Sequence, residues 1–500
     1  MSAPSGTTAL RHYANYINGR DQPGRDGGVF QSINPTTGAI WGDFVESSAA
    51  DVDTAVRAAH SAFEGPWSAL SPTRRGRLMM RWGELIAASA DKIGTIETEQ
   101  NGKLFAEMRT QARVAQDWLT YFGGLADKIE GRVIPLDRMS ILNYTVLEPL
   151  GVVAAIVPWN SPTFLTIMSI APALAAGNTV VIKPSEVTSA SAVELARLAE
   201  EAGIPPGVVN VVTGGRIAGE ALVDHPLVAK ISFTGSDAAG RTIAARAGQR
   251  LIGCTLELGG KSPNIVFDDA DIDQVEAGVL SGIFAAAGQT CVAGSRAFFQ
   301  KKIYDRLVSR LVDRANSIRL GDPLKAESQM GPVASSAQLA KDERMVAQAV
   351  ADGAEILAGG KRVRLEGLEN GYFYAPTILQ GAGSLDFIMQ NEVFGPVLCV
   401  APFEDEDDVV AMANSTPFGL AAGVWTNDIR RGHLMARRLR AGTVWINTYR
   451  ALAFNSPFGG FKDSGLGRQN GAEAVNQFLQ TKSVWCELSR DIQDPFVIKT

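Results

Sequence analysis

The stretch GQTCVAGSR, Gly288 to Arg296, sets one cysteine among small, uncharged neighbours. As a thiol, Cys291 is a small buried hydrophobe; as a thiolate, it is a nucleophile. Four other stretches carry polar groups that packing alone explains poorly. VPWNSP ends an apolar run on Trp159 and Asn160, and IKPSE ends the next on Lys183 and Glu186. FTGS ends a third run at Gly235 and Ser236. LELGGK ends a fourth, with Glu257 ahead of two glycines. Each has a plainer reading as well. Lys183 and Glu186 suit a surface ion pair, and Asn160 suits the N-cap of a helix beginning at Pro162. Glu257, between Leu256 and Leu258, must face solvent at a strand end or lie in a poorly hydrated cleft. In a cleft its pKa rises toward neutrality, which suits a general base. The dinucleotide fingerprint G-x-G-x-x-G is absent. In its place Gly235-Ser236-Asp237-Ala238-Ala239-Gly240 occupies a strand-to-helix turn, where small residues let a helix N-terminus approach a phosphate.

These groups need elements to bring them together. From residue 151 the pattern alternates between short apolar runs and helical stretches. GVVAAIVP, TVVIK, VVNVV, AKISFTG and CTLELGG read as buried strands, separated by helices at Pro162–Ala176, SASAVELARLAEEAG, IAGEALVDH and Ser236–Gly248. Such β-α alternation predicts a parallel, doubly wound sheet. Right-handed crossovers then place the strand C-termini, and the polar groups on them, at one edge. A second alternating block begins near residue 260, with strands SPNIVF, SRAFFQ, VLCVAPF and GTVWIN. Residues 50–128 read as helices. The predicted fold class is α/β: two doubly wound parallel-sheet domains, one Rossmann-like, plus a small β element. That element comprises RVIPLDRMSILNYTVLEP (132–149) and the C-terminal KSVWCELS, each read as a hairpin of alternating residues. Strands outside a domain core pair with a partner subunit or serve as edges within the monomer.

Composition narrows the function classes. The chain has 500 residues, 46% hydrophobic and 20% charged, with a formal net charge of −6. That lacks the basic footprint of a nucleic-acid binder. Four cysteines make no disulfide framework and no C-x-x-C pair, and four scattered histidines offer no metal-ligand spacing. No secretory signal and no membrane-length apolar run is visible, so the expectation is a soluble cytoplasmic protein.

Taken together and in order, PWN, KPSE, FTGS, LELGGKSP, GQTCVAGSR, EVFGPV and PFGGFKDSGLGR resemble the NAD(P)-dependent aldehyde dehydrogenase superfamily. The resemblance runs from about residue 15 to residue 485. It implies that Cys291 is the nucleophile toward an aldehyde, that Asn160 and the Cys291 backbone N–H hold the oxyanion, and that Glu257 activates water against a thioester. It further implies Lys183 and Glu186 at the adenine ribose, Trp159 along the cofactor, Gly235 and Ser236 at the pyrophosphate, Glu392 at the nicotinamide ribose and Phe394 beside the ring. A Glu at the 2′-hydroxyl repels a 2′-phosphate, so NAD is expected over NADP, with dual use possible. The implied domains are 1–131 and 150–257 for NAD, 258–463 for catalysis, and 132–149 with 480–500 for assembly into a homodimer or homotetramer. Where this family often places a bulky aromatic in its substrate tunnel, Ser161 and Met168 stand here; Phe164 and Phe458 remain as candidate walls. Arg450 falls on the expected mouth loop, where it pairs a substrate carboxylate bidentately or is simply salt-bridged. Two alternatives remain: a CoA-acylating semialdehyde dehydrogenase, which generally lacks the Glu257 equivalent, and a retired relative, which tends to lose the Cys or the Glu.

Overall fold

The computed structural model describes residues 10–490 and 496. The predicted strand from 480 to 500 therefore lies partly outside the described residues. Two large sheets organise the chain. In the first, the strands run in the order Gly465–Leu466, Gly253–Glu257, Val228–Thr234, Val152–Val157, Thr179–Pro184, Val209–Val211, Asn15–Ile17 and Arg20–Gln22. The five strands from Gly253–Glu257 to Val209–Val211 are mutually parallel, with antiparallel strands added at both ends. These five are the apolar runs expected from the sequence. Thr179–Pro184 is buried at every position, as a strand covered on both faces must be.

The second sheet has seven strands, in the order Glu355–Ala358, Thr377–Gln380, Val397–Phe403, Arg296–Gln300, Pro263–Val266, Ala421–Trp425 and Thr443–Ile446. All pair in parallel except Glu355–Ala358. Ala421–Trp425 sits inside this sheet, although AAGVW carries a weak strand signal. Its Gly423 packs so tightly that a Cβ would come within 2.4 Å of Asn264 Oδ1. Tertiary contact, not local preference, makes this strand.

Helix Pro162–Ala176 is apolar nearly all round, and every position but Phe164 is buried. It packs under the first sheet and against helix Phe105–Leu125. A helix apolar on all sides is a core helix.

The small β element differs from expectation at its C-terminal part. KSVWCELS forms no hairpin of its own. Leu479–Glu487 is a single strand running antiparallel to Ile141–Pro149, whose other edge holds Val133–Ile134. Residues 132–149 do form the predicted hairpin. The nine-residue register between the two long strands leaves no room for a turn within the C-terminal one. Val133 and Trp485 on this sheet are exposed. Among the described residues, no helix is long and apolar enough to cross a membrane.

Candidate active site

The parallel strands of the first sheet end along one line. Val152–Val157 leads into Pro158, Trp159 and Asn160, Val228–Thr234 into Gly235 and Ser236, and Gly253–Glu257 terminates on Glu257 itself. Register ties the last two together: Thr234 pairs with Glu257, and Gly235 N donates to Glu257 O at 3.0 Å. Trp159, Asn160, Gly235, Ser236, Glu257, Cys291, Glu392 and Phe394 all line one cleft of about 180 Å³. A second cavity, of about 400 Å³, lies across Cys291 from the first. Asn160, Leu165 and Cys291 line both, so the sulfur sits where the two meet.

Cys291 lies on a loop rather than a strand end. Ahead of it, Ala286 and Ala287 adopt left-handed backbone angles, φ 57° and 51°. Such angles cost of order 1–3 kcal/mol each and persist only where the surroundings impose them. Gly288 follows at φ 71°; a Cβ on it would lie 2.0 Å from Gly395 O, so only glycine fits. The Cys291 side chain is half-buried. Burial pushes its thiol up to about 12, and the Glu392 and Glu257 carboxylates push in the same direction. The Val292 backbone N–H and the Lys103 ammonium oppose them.

Asn160 does not cap the following helix; Ser161 holds the N-cap position, without a side-chain capping bond. Instead Asn160 Nδ2 donates to Gln289 O at 3.1 Å, two residues before the cysteine. An amide nitrogen carries two N–H groups, so one bond orients the side chain and one donor is left for the cavity. Glu257 is buried, and neither carboxylate oxygen has a hydrogen-bond partner. Burial raises its pKa well above the ordinary carboxylate value, and Arg468 only partly opposes this.

Lys183 and Glu186 do not line the cleft beside Cys291. They line a third cavity, of about 490 Å³, with Phe233, Gly215, Gly219 and Ala238. The turn at residues 234–239 separates it from the cleft, so the two are consecutive along the strand ends. The surface ion-pair reading holds for one partner only. Lys183 is buried and donates to Pro184 O at 2.9 Å, while exposed Glu186 lies 3.6 Å from its Nζ. Between cavity and cleft, Ser236 caps helix Asp237–Gln249, its Oγ accepting from Ala239 N at 3.4 Å. An extended anionic molecule fits this line: a carboxylate–ammonium pair at one end, a helix N-terminus midway, and an aromatic pair at the other. That pair is Trp159 and Phe394, edge to face with centroids 5.4 Å apart. Glu392 Oε1 accepts from Gly260 N at 3.0 Å, and burial pushes its carboxyl up to about 7. These residues fit a dinucleotide.

Phe164, Met168, Arg450 and Phe458 all line the second cavity. Arg450 donates to Ser281 O at 3.1 Å and stands 3.7 Å from Glu107, so its charge is already faced by a carboxylate. Several lining residues escaped the sequence reading. Trp118 stands edge-on to Phe164 at 4.7 Å and donates to Asn470 Oδ1 at 2.7 Å. Its helical spacing reads as core, and nothing local separates a tunnel wall from a core face. Phe454 is on an irregular loop. Gln338 and Lys341 reach the cleft beside Cys291 from helix Ser336–Ala351, which no motif announced. Lys103 is buried, with Nζ 3.5 Å from Ser161 Oγ and 3.7 Å from Glu107. The NGK triplet holding it gave no signal of its own.

Comparison with known proteins agrees with this geometry. The sequence pattern of the aldehyde dehydrogenase family matches residues 23–484. The (Z)-2-((N-methylformamido)methylene)-5-hydroxybutyrolactone dehydrogenase of Acinetobacter baylyi is 43% identical over 494 residues, covering 98% of this chain and 100% of that protein. Betaine aldehyde dehydrogenase of Brucella melitensis is 40% identical over 484 residues, covering 97% of this chain and 99% of the relative. The NAD+ complex of an aldehyde dehydrogenase from Bacillus cereus superposes with a TM-score of 0.94 at 38% identity, covering 98% of this chain and 100% of that one. With the family pattern spanning nearly the whole chain and relatives aligned end to end, the chain belongs to the aldehyde dehydrogenase family.

Proposed function

We propose that the protein oxidises an aldehyde to a carboxylic acid with NAD, through a thiohemiacetal and then a thioester on Cys291. One observation carries this: Cys291 lies at the junction of two cavities, with Asn160 on both and Glu257 on the coenzyme side. Burial favours the protonated thiol in the free protein. Its proton passes to a water that Glu257 polarises and from there to solvent, so the carboxylate stays free to act as base later, and the positive charge of oxidised NAD would favour the thiolate. The thiolate adds to the aldehyde carbon, and the carbonyl oxygen becomes an oxyanion held by Asn160 Nδ2 and the Cys291 backbone N–H. NAD supplies the acceptor for the hydride that leaves the former aldehyde carbon. The oxyanion reforms a carbonyl and the thioester results. Glu257 then draws a proton from water; the hydroxide adds, the C–S bond breaks, and the acid leaves.

Asn160→Ala removes one oxyanion donor, and kcat is expected to fall about 100- to 1,000-fold with NAD affinity kept. Steady-state kinetics beside a direct NAD titration check this. The Lys183–Glu186 end of the coenzyme line sets selectivity. Two like charges near 4 Å repel by about 1 kcal/mol in water and about 4 kcal/mol near a protein surface. Glu186→Gln is therefore expected to raise the NADP/NAD ratio of kcat/KM about tenfold or more. An unchanged ratio would move the ribose contact elsewhere.

The same reading gives residues 1–131 and 150–257 to the coenzyme and 258–463 to the nucleophile. Residues 132–149 and 480–500 join subunits of a homodimer or homotetramer. The exposed Val133 and Trp485 on the small sheet support that last assignment. The decisive experiment mixes protein, NAD and a panel of aldehydes differing in chain length, aromaticity and terminal charge, with and without CoA. Coenzyme reduction independent of CoA is the expected result. Reduction that requires CoA would favour acyl transfer, and silence across the panel would favour a retired enzyme.

A further inference from the structure

Helix Ser336–Ala351 begins beside the coenzyme cleft and carries a carboxyl that the reaction above does not use. Ser335 caps it, accepting from Gln338 N at 3.1 Å. One turn on, Asp342 is fully buried. Its Oδ1 accepts from Gln338 Nε2 at 2.7 Å, and its Oδ2 has no partner. A buried carboxyl left half-satisfied costs stability, so its retention asks for a reason. Burial pushes this one up to about 7.

Its surroundings supply the reason. Gln338 Nε2 also donates to Val393 O at 3.0 Å, and Gln338 lines the cleft. Two residues along, Gly395 packs on Asp342 so closely that a Cβ would stand 2.3 Å from Oδ1. Between these two points lies Phe394, at φ 62°. A bulky residue in that region persists only when its neighbours over-determine it. Here the chain is held on both sides, at the 393 carbonyl and at the 395 backbone. The same turn presents Phe394 and Glu392 to the cleft. Contact extends to the nucleophile loop, because Gly395 O occupies the space a Gly288 side chain would need. Ala334 N, just ahead of the helix, donates to Gln289 Oε1 at 2.8 Å.

We propose that Asp342 is a positioning residue for the coenzyme: acting through Gln338, it clamps the 393–395 turn that presents Glu392 and Phe394. This rests on the reading of the cleft as an NAD site. Asp342 does not line the cleft itself. It gives the Gln338 amide a second acceptor, which keeps that amide against Val393 O instead of rotating into the cleft. A purely apolar residue would fill the space without fixing the amide.

The test is a double-mutant cycle read as the dissociation constant for NAD, by calorimetry without aldehyde. Asp342→Ala is expected to raise that constant about tenfold, as contacting residues in one network couple energetically. Asp342→Val, which fills the volume without an acceptor, behaves the same and replaces Ala should that protein not fold. Asp342→Asn keeps an acceptor and stays within about twofold of wild type. Adding Asp342→Ala to Gln338→Ala worsens binding no further, because the route through Gln338 is already gone, and the KM for aldehyde stays put in the single variants at residue 342. Wild-type NAD binding by both the Ala and Val proteins would overturn the proposal, as would effects that multiply in the double variant. Failure of the wild-type protein to bind NAD would instead strike the assignment of the cleft.

Discussion

Cys291→Ala is expected to lower aldehyde oxidation on the order of 10⁴-fold or more, the scale of deleting a covalent nucleophile. No other thiol can substitute. Cys254 lies on the strand leading to Glu257 but at its opposite end, Cys399 is buried in the second sheet, and Cys486 is exposed on the small sheet. NAD affinity should survive, because Cys291 sits only at the inner end of the coenzyme cleft and every other residue that lines it is untouched. The contact most at risk is that of the nucleophile loop with Gly395, which is made by backbone and Gly288 rather than by the sulfur. Steady-state assays beside an NAD titration check both halves. Residual turnover within tenfold of wild type would remove the thioester from the reaction.

Glu257→Gln divides the reaction instead of ending it. The variant is expected to release about one equivalent of reduced coenzyme per site in a first burst, then turn over about 10²–10⁴-fold more slowly, the usual weight of a general base. Stopped-flow absorbance reads both phases. The side chain is buried with both oxygens unpartnered, so the amide substitution removes a charge without breaking a network. The pH dependence follows from the direction of its shift. Burial raises the folded-state pKa, which favours the protonated form, so the active base is present above that raised value and is lost as pH falls through it. Hydrolysis in the wild type should therefore decline toward acid pH from a higher starting point than an ordinary glutamate would give. The Gln variant should lose that limb. A Gln protein with an unchanged steady state would take Glu257 out of the mechanism.

Much of this was legible without coordinates, for a physical reason. Parallel strands covered on both faces must be short apolar runs, and polar groups that interrupt such runs at their C-terminal ends have one edge to gather on. Asn160, Gly235, Ser236 and Glu257 are of this kind, and their convergence follows from the chain's own periodicity. Cys291 needed more. Its neighbours have no periodicity, and only the ordered set of motifs around it favoured the reading as a nucleophile over that as a buried thiol.

What the sequence alone determined was the two alternating blocks, the strand ends interrupted by polar groups, and the identity of those groups. Tertiary structure alone decided where the wall residues stand. Trp118 obeys the same helical spacing as any core residue, and Ala421–Trp425 is an interior strand, paired on both sides, with Asn264 and Tyr449 closing on Gly423. It also decided that Lys183 and Glu186 lie one cavity away from Cys291, that the C-terminal segment is one strand instead of a hairpin, and that Asp342 backs the Phe394 turn. These are contacts between segments far apart in the chain. Local spacing records which face a side chain takes, but not what the rest of the chain brings against it.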